Sequence, residues 1–273
     1  MMRKSPPRDI NEAKNLVQSL AKGFRVLQSF SADEPELNLA EIARRSEIDN
    51  ATAFRMLNTL VMLGYVERVI ATRNFRLTLK PLELGYNALA RMDLRDAARP
   101  VLRSLVGTVN EAASIGVREG GEVVYVARVQ AGLARLGVDI RIGSRVPVYC
   151  TAIGNALIAA LPRVEQRQIL GLCPRVKLTP TTPVALADIL RQLDIVKRDG
   201  YAISDQQTTA GLRVLAAPVL DAEQRPIAAV SVAAPSLRMP LPEFIKLATQ
   251  PVLAAAGKLS RIMQAAGGVA HAA

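Results

Sequence analysis

The first 80 residues contain the feature that most constrains the fold, a series of short helical patterns followed by a pair of strand patterns. Apolar side chains recur at helical spacing over about 19–30, 39–46 and 50–63. Residues 65–69 and 74–78 have the composition of two short strands joined by a turn. Three short helices closed by a hairpin predict a winged helix-turn-helix.

Polar residues at the helix ends support these boundaries. Asn38 and Glu41 have the spacing of a capping box at the start of the second helix, and Asp49 can cap the third. Gly64 suits the position that follows a helix. Glu47 stands in the turn where glycine is usual, and a non-glycine residue in the left-handed region costs ~1–2 kcal/mol. We therefore expect a slightly strained turn there.

The third helix is expected to bury one side and expose the other. Its inward side chains are predicted to be Phe54, Leu57, Leu60, Val61 and Leu63. In a helix-turn-helix the N-terminal turn of this helix enters the major groove, where Asn reads adenine, Arg reads guanine, and Thr or Ala contacts a thymine methyl group. The candidates for base contacts are Asn50, Ala51, Thr52 and Arg55, and those for phosphate or minor-groove contacts are Arg44, Arg45, Ser46, Arg73 and Asn74.

The partner that this pattern favours is double-stranded DNA. The chain carries 35 Lys and Arg against 24 Asp and Glu, a formal net charge of +11. This excess is spread along the sequence, so by itself it supports an anionic partner only weakly. A winged helix that contacts other proteins through solvated faces remains the alternative.

Composition excludes several classes of active site. The single histidine, His271, lies near the C-terminus, which removes Ser-His-Asp triads and histidine-based zinc sites. Two cysteines, Cys150 and Cys173, are too few for a four-thiolate metal site. Walker A, GxSxG and HExxH motifs are absent from the sequence. A hydrolase with paired carboxylates stays open, but nothing points to one, so we predict a protein that is not an enzyme and needs no cofactor or metal.

The sequence contains no apolar run of membrane-spanning length and no signal-peptide pattern. We therefore expect a cytoplasmic protein with no membrane partner. The expected organisation is a disordered arm over 1–15, a DNA-binding domain over 16–79 and a linker helix over 80–92. A second domain over 93–266 and a loose tail over 267–273 complete the chain. Strands and helices in mixed order in the second domain predict an α+β fold with a mainly antiparallel sheet.

A candidate anion site lies in the second domain, where a strand pattern runs into a helix. Free amides at the helix start, together with Thr151, suit a carboxylate, and Gly154 would let a ligand approach the backbone. An ordinary capped helix with a glycine for tight packing is an equally good interpretation. The candidates for a carboxylate clamp are Arg135, Arg141 and Arg213.

Several ordered segments resemble the IclR family of bacterial transcriptional regulators. They include Val17–Leu27, Leu39–Ala43, Leu60–Val66 and Pro147–Gly154, within a likeness that covers roughly residues 17–264. The resemblance implies an N-terminal winged helix-turn-helix, a linker helix and a C-terminal GAF-like effector domain. It also implies dimers, or dimers of dimers, on DNA.

The resemblance further implies an effector pocket. Its residues would be Thr151, Ala152, Ile153, Gly154, Asp205, Arg213, Leu215, Ser231 and Ala233. The segment Tyr125–Arg128 looks most like the branch that governs catabolism of aromatic acids such as protocatechuate and 4-hydroxybenzoate. Leu215 stands where a cysteine is common and Ala233 where a serine is frequent. Fewer polar groups would favour a more apolar ligand, or none.

Two hypotheses follow. The first is a DNA-binding transcriptional regulator, a dimer or tetramer, whose operator binding is modulated by a small organic or aromatic acid. The alternative is a GAF-like sensor or enzyme that uses its winged helix for protein contacts.

Overall fold

The computed structural model describes residues 16–84, 94–130 and 140–265. The chain divides into two compact units, residues 1–88 and 89–273. The first turn of the expected linker helix is present at 81–84, and the remainder of that helix lies outside the described residues. The same holds for the arm, the tail and the clamp candidate Arg135.

The first unit has the predicted winged helix-turn-helix architecture. Its strands form a small antiparallel sheet in the order β1-β3-β2. The elements are α1 (Gln18–Leu27), β1 (Glu36–Leu37), α2 (Leu39–Ser46), α3 (Asn50–Met62), β2 (Val66–Arg68) and β3 (Phe75–Leu77).

Local hydrogen bonds explain where the helices begin and end. Asn38 and Glu41 form the predicted capping box, with Oδ1 and Oε2 each accepting a backbone N–H at 3.0 Å. The Asp49 carboxylate accepts the Thr52 N–H at 2.8 Å and starts α3. Glu47 is left-handed, with φ 56°, as its place in the turn predicts. The two caps therefore set where α2 and α3 begin.

The core of the first unit corrects the predicted inner face of α3. Leu57 and Leu60 are buried as expected. Phe54, Val61 and Leu63 are 46%, 37% and 52% exposed, so that part of the prediction is wrong. The buried line follows Ala53, Leu57 and Leu60, because residues spaced by three and four share one side of a helix. The core consists of Val26, Leu37, Ile42, Leu57, Leu60, Val66 and Phe75.

The second unit is built on a six-stranded antiparallel sheet in the order β6-β5-β4-β9-β8-β7, which confirms the predicted α+β class. Its elements are α4 (Leu94–Val109), β4 (Ala112–Glu119), β5 (Glu122–Val129), β6 (Arg145–Pro147), α5 (Ala152–Ile158), α6 (Arg163–Gly171), α7 (Leu186–Asp199), β7 (Ala202–Asp205), β8 (Leu212–Leu220), β9 (Pro226–Pro235) and α8 (Leu241–Ala265).

Both faces of this sheet are covered by helices. Side chains of α4 and α8 form a core with one face, to which Leu215 belongs. Side chains of α5, α6 and α7 form a second core with the other face, to which Ala216 belongs. Neighbouring residues of a strand point to opposite faces, so β8 contributes alternately to the two cores. No helix among the described residues is both long enough and apolar enough to span a membrane.

Candidate nucleic-acid interface and ligand cavity

The N-terminal half of α3 presents a mixed polar and apolar surface. Asn50, Ala51, Phe54 and Arg55 are exposed. Thr52 is only 8% exposed and does not belong to this face. Its N–H donates to the capping carboxylate of Asp49. Three of the four predicted base-contact residues therefore share one accessible surface. We call Asn50, Ala51, Phe54 and Arg55 the reading face.

A shallow hollow lies between α1 and α3, next to this reading face. Lys22 of α1 and Arg55 of α3 both line it, with hydroxyl groups around them. Its lining residues are Ser19, Lys22, Thr52, Arg55, Met56 and Thr59. Two cations beside the reading face make this edge suitable for a phosphate backbone.

The candidates on α2 have three different environments. Arg44 is exposed. Arg45 pairs with Glu34 and donates to the Ser29 carbonyl at 3.2 Å, so its guanidinium is already engaged within the protein. Ser46 is fully buried and donates to the Ile42 carbonyl. A phosphate contact from Ser46 is therefore wrong, because its hydroxyl closes a bond inside its own helix.

The wing candidates lie at the turn of the β2–β3 hairpin. Arg73 is exposed, with a left-handed backbone at φ 59° that brings the chain around the turn. Asn74 is half-buried, and its carbonyl accepts the Val69 N–H at 2.8 Å. Arg73 is thus presented to a partner more fully than Asn74.

A cavity of about 70 Å³ lies in the second unit, between one face of the sheet and the start of α5. Roughly 10–15 Å³ suffices for one water molecule on this scale, so the space suits a compact ligand. Its walls combine aliphatic side chains with hydroxyls. They are Ser114, Tyr125, Arg128, Ile140, Val146, Thr151, Ala152, Ile153, Ser204, Thr208, Thr209, Leu212, Val214, Ser231 and Ala233.

The polar floor of the cavity is a row of residues set by strand register. Arg128 on β5 stands opposite Ser114 on β4, which stands opposite Ser231 on β9. The Arg128 guanidinium donates to Ser114 Oγ at 2.9 Å. Among the described lining residues, Arg128 is the only charged one. Burial raises the pKa of the neighbouring Tyr125 to about 12, so its phenol stays a neutral hydrogen-bonding group.

Five of the predicted effector residues lie in this cavity: Thr151, Ala152, Ile153, Ser231 and Ala233. The Thr151 hydroxyl donates to the Pro147 carbonyl at 2.7 Å and accepts the Gly154 N–H at 3.1 Å. It therefore caps α5, and the residues that follow it form the cavity wall.

Gly154 itself serves packing rather than ligand approach. A Cβ at this position would lie 2.4 Å from the Val148 carbonyl oxygen and 2.6 Å from Thr151 Oγ1. The residue is absent from the cavity wall formed by the described residues. Of the two interpretations open from the sequence, the structure supports tight packing.

The remaining three predicted effector residues do not line this cavity. Asp205 and Arg213 form an ion pair with Oδ1 and Nε 2.7 Å apart, and Arg213 also donates to the Ser236 carbonyl at 3.1 Å. This arginine holds strand and loop together and does not line the cavity. Leu215 is fully buried on the opposite face of the sheet. Arg141, the other clamp candidate that the structure describes, is exposed.

Ten of the fifteen described residues that line the cavity were not predicted from the sequence, and Arg128 is the charged one among them. In the sequence Arg128 stands out only within Tyr125–Arg128, the segment that resembles one branch of the family. A signal was present, because it is a lone cation that follows a run of apolar residues in a strand with a buried face. No group of side chains suited to a metal ion occurs in residues 16–84, 94–130 and 140–265.

Comparison with known proteins assigns both units. Residues 19–69 match the IclR helix-turn-helix domain. Residues 86–261 match the C-terminal domain of bacterial IclR transcriptional regulators. The chain belongs to the IclR family. It is a DNA-binding transcriptional regulator with an effector-binding C-terminal domain, which confirms the DNA-binding and effector-binding parts of the first hypothesis.

Individual relatives agree with the family. The Pca regulon regulatory protein of Pseudomonas putida is 34% identical over 80% of this chain and 74% of its own. A transcriptional regulator from a Rhodococcus species is 34% identical, covers 92% of this chain and 100% of its own, and superimposes with a TM-score of 0.81. An IclR homologue from Microbacterium hydrocarbonoxydans, solved with 4-hydroxybenzoate, is 26% identical and has a TM-score of 0.79. The match covers 90% of this chain and 99% of the homologue.

Proposed function

We propose that this IclR-family regulator reads its operator through the reading face of α3, and that an aromatic carboxylate in the cavity of the second unit modulates this reading. The observation that carries the proposal is the guanidinium of Arg128, held by Ser114 at the wall of a largely apolar cavity. In this proposal residues 16–79 bind DNA, residues 80–92 link the two domains, and residues 93–266 bind the effector and oligomerise. As a regulator of bacterial transcription the protein acts in the cytoplasm.

On the DNA side, Asn50 and Arg55 supply the hydrogen-bonding groups for base edges. Asn suits adenine and Arg suits guanine in the major groove. Arg44 and Arg73 are exposed on the flanking α2 and wing and supply phosphate contacts. Arg45 acts indirectly, because its bonds to Glu34 and Ser29 fix α2 against the loop before β1.

Substitution separates these roles. We expect Arg55→Ala to weaken binding to specific DNA by about 1–3 kcal/mol and to relax selection at one base position. Arg44→Ala should weaken binding to all DNA sequences alike. It should also lower the slope of log affinity against log salt concentration by about one. Arg167→Ala removes the same charge from an exposed position of α6 and serves as the control. A selected sequence that is the same for Arg55→Ala and for the wild type would remove Arg55 from the readout.

On the effector side, the cavity combines one cation with apolar walls. Aliphatic side chains such as Ile153 and Val214 suit the faces of a ring, and an arginine binds a carboxylate through two parallel hydrogen bonds. The hydroxyls of Ser114 and Ser231 on the floor offer partners for a ring hydroxyl. The Pseudomonas relative is named for the Pca regulon and the Microbacterium homologue was solved with 4-hydroxybenzoate, which supports the same ligand class.

Thermal unfolding tests this proposal with 4-hydroxybenzoate, benzoate and the neutral analogue benzamide. A ligand at 100 times its Kd stabilises the native state by about 2.7 kcal/mol, which corresponds to roughly 5–10 °C for a unit of this size. We expect the two carboxylates to raise the Tm of the wild type and benzamide to do so far less. Arg128→Gln should abolish the difference. Equal stabilisation by benzamide would show that Arg128 does not recognise the carboxylate.

We also propose that α1 is covered by a second copy of the chain. Leu16, Val17, Leu20 and Phe24 form an exposed apolar stripe on and just before this helix. DNA is a polyanion and does not cover an apolar stripe of this kind, whereas the same stripe on a second copy of the chain does. Sedimentation should show weaker self-association for Leu20→Glu than for the wild type, because only the contacts made through 93–266 would remain. The same sedimentation for both proteins would exclude α1 as the interface.

A further inference from the structure

Phe54 occupies an unexpected position on α3. The side chain is 46% exposed and is not part of the core of the first unit. It neighbours Arg55 in sequence, and Ala51 and Asn58, both exposed, lie one helical turn to either side. An aromatic ring therefore stands within the reading face.

The fold does not account for this ring. The inner side of α3 is already provided by Ala53, Leu57 and Leu60, all buried. Phenylalanine has a lower helix propensity than alanine, so the helix gains nothing from it at an exposed position. Single exposed apolar side chains are common, so it is the place of Phe54 on the reading face that matters. The proposed function directs this face into the major groove of DNA.

We propose that Phe54 determines specificity, its ring packing against the C5-methyl group of a thymine. The inference rests on the proposed function, in which the reading face contacts base edges. The thymine methyl is the apolar group that the major groove displays, and phenylalanine is among the side chains that contact it.

The test uses deoxyuridine, which pairs as thymine does but lacks the methyl group. Duplexes are first selected from a random-sequence pool by the full-length wild-type protein, and each thymine is then replaced singly. We expect one thymine in each half-site whose replacement weakens wild-type binding about fourfold, the factor for burying one methyl group. In Phe54→Ala the same replacement should have no effect, whereas Phe54→Leu should retain part of it.

Met62→Ala is the matched control. Met62 is also an exposed apolar residue of α3, 88% exposed, but lies about 12 Å further along the helix axis. Its variant should keep the wild-type deoxyuridine profile. Because Phe54 lies outside the core, Phe54→Ala should also keep the wild-type Tm, which separates loss of contact from loss of folding.

The outcomes distinguish this inference from the function on which it rests. A Phe54→Ala variant that keeps the wild-type sensitivity to deoxyuridine overturns the inference. If Arg55→Ala then still changes the selected sequence, the reading face stands and only the thymine contact is lost. If neither variant changes selection, both the inference and the assignment of the reading face are wrong.

Discussion

Gly154→Ala is a substitution whose effect can be worked out from the structure. The added Cβ would lie 2.4 Å from the Val148 carbonyl oxygen and 2.5 Å from the Val148 Cα, both backbone atoms that a rotamer change does not move. Overpacking a core typically costs ~1–3 kcal/mol, and contacts this short place the change at the upper end. With ~2–4 °C of Tm for each kcal/mol in a unit of this size, we expect a loss of roughly 6–12 °C.

Thermal unfolding of the intact chain followed by circular dichroism measures this change. Gly107→Ala is the matched control, because Gly107 is an exposed position of α4 with no atom within 4 Å of the added Cβ. There the exchange should stabilise the helix by about 0.5–1 kcal/mol. A Gly154→Ala protein with an unchanged Tm but weaker ligand binding would refute the packing explanation and restore the role in ligand approach.

Three further substitutions or treatments have defined outcomes. Arg213→Met should destabilise the second unit by about 2–3 kcal/mol, since it removes charged hydrogen bonds to Asp205 and to the backbone. The affinity of the folded protein for benzoate, measured by calorimetry, should not change. Lys80→Met should lower the urea midpoint of the first unit, because Lys80 Nζ donates to the Leu63 carbonyl at 2.8 Å at the end of α3; an unchanged midpoint would contradict this role. Burial raises the pKa of the Cys150 thiol to about 12, so that at pH 8 only about one molecule in 10,000 carries the Cys150 thiolate and Cys150 of the native protein should resist alkylation there. Cys173 is only partly buried, so the modified residue is identified by peptide mass. Cys150 should become reactive on unfolding, and rapid alkylation of Cys150 in the native protein at pH 8 would contradict its burial.

The parts of the fold that depend on neighbouring residues were predictable from the sequence. The capping box of Asn38 and Glu41 spans three residues, and the cap at Asp49 spans the same distance. Such bonds form within one turn of chain, so their signature is contained in a short window. For this reason the bounds of α2 and α3 were predicted to within one residue.

The orientation of α3 was less predictable because this helix carries apolar residues on more than one side. Phe54 and Leu57 are three residues apart, and either side was compatible with helical spacing. The choice is made by the other elements that pack against Leu57 and Leu60, such as Val26 of α1 and Phe75 of β3. These contacts are remote in sequence, so periodicity alone does not reveal them.

Sequence periodicity is also insufficient to predict which residues of the sheet in the second unit face the cavity. Both faces of β8 are buried, so beyond Arg213 its sequence is a continuous apolar run and does not show which residues face the cavity. Val214 faces it, and Leu215, the predicted residue, faces the opposite core. Arg128 faces it as well, because the register of β4 and β5 places it opposite Ser114. Site residues that depend on strand phase therefore required the structure.

The most direct test of the account measures operator binding with and without an aromatic carboxylate. Fluorescence anisotropy gives the Kd for a selected operator duplex, in the presence and absence of saturating 4-hydroxybenzoate, for the wild type and Arg128→Gln. We expect the wild-type Kd to change by a factor of about 5–150, the range of typical coupling between two sites, and the Arg128→Gln Kd to stay the same. A wild-type Kd that is indifferent to the carboxylate, or an Arg128→Gln protein that responds as the wild type does, would contradict this expectation.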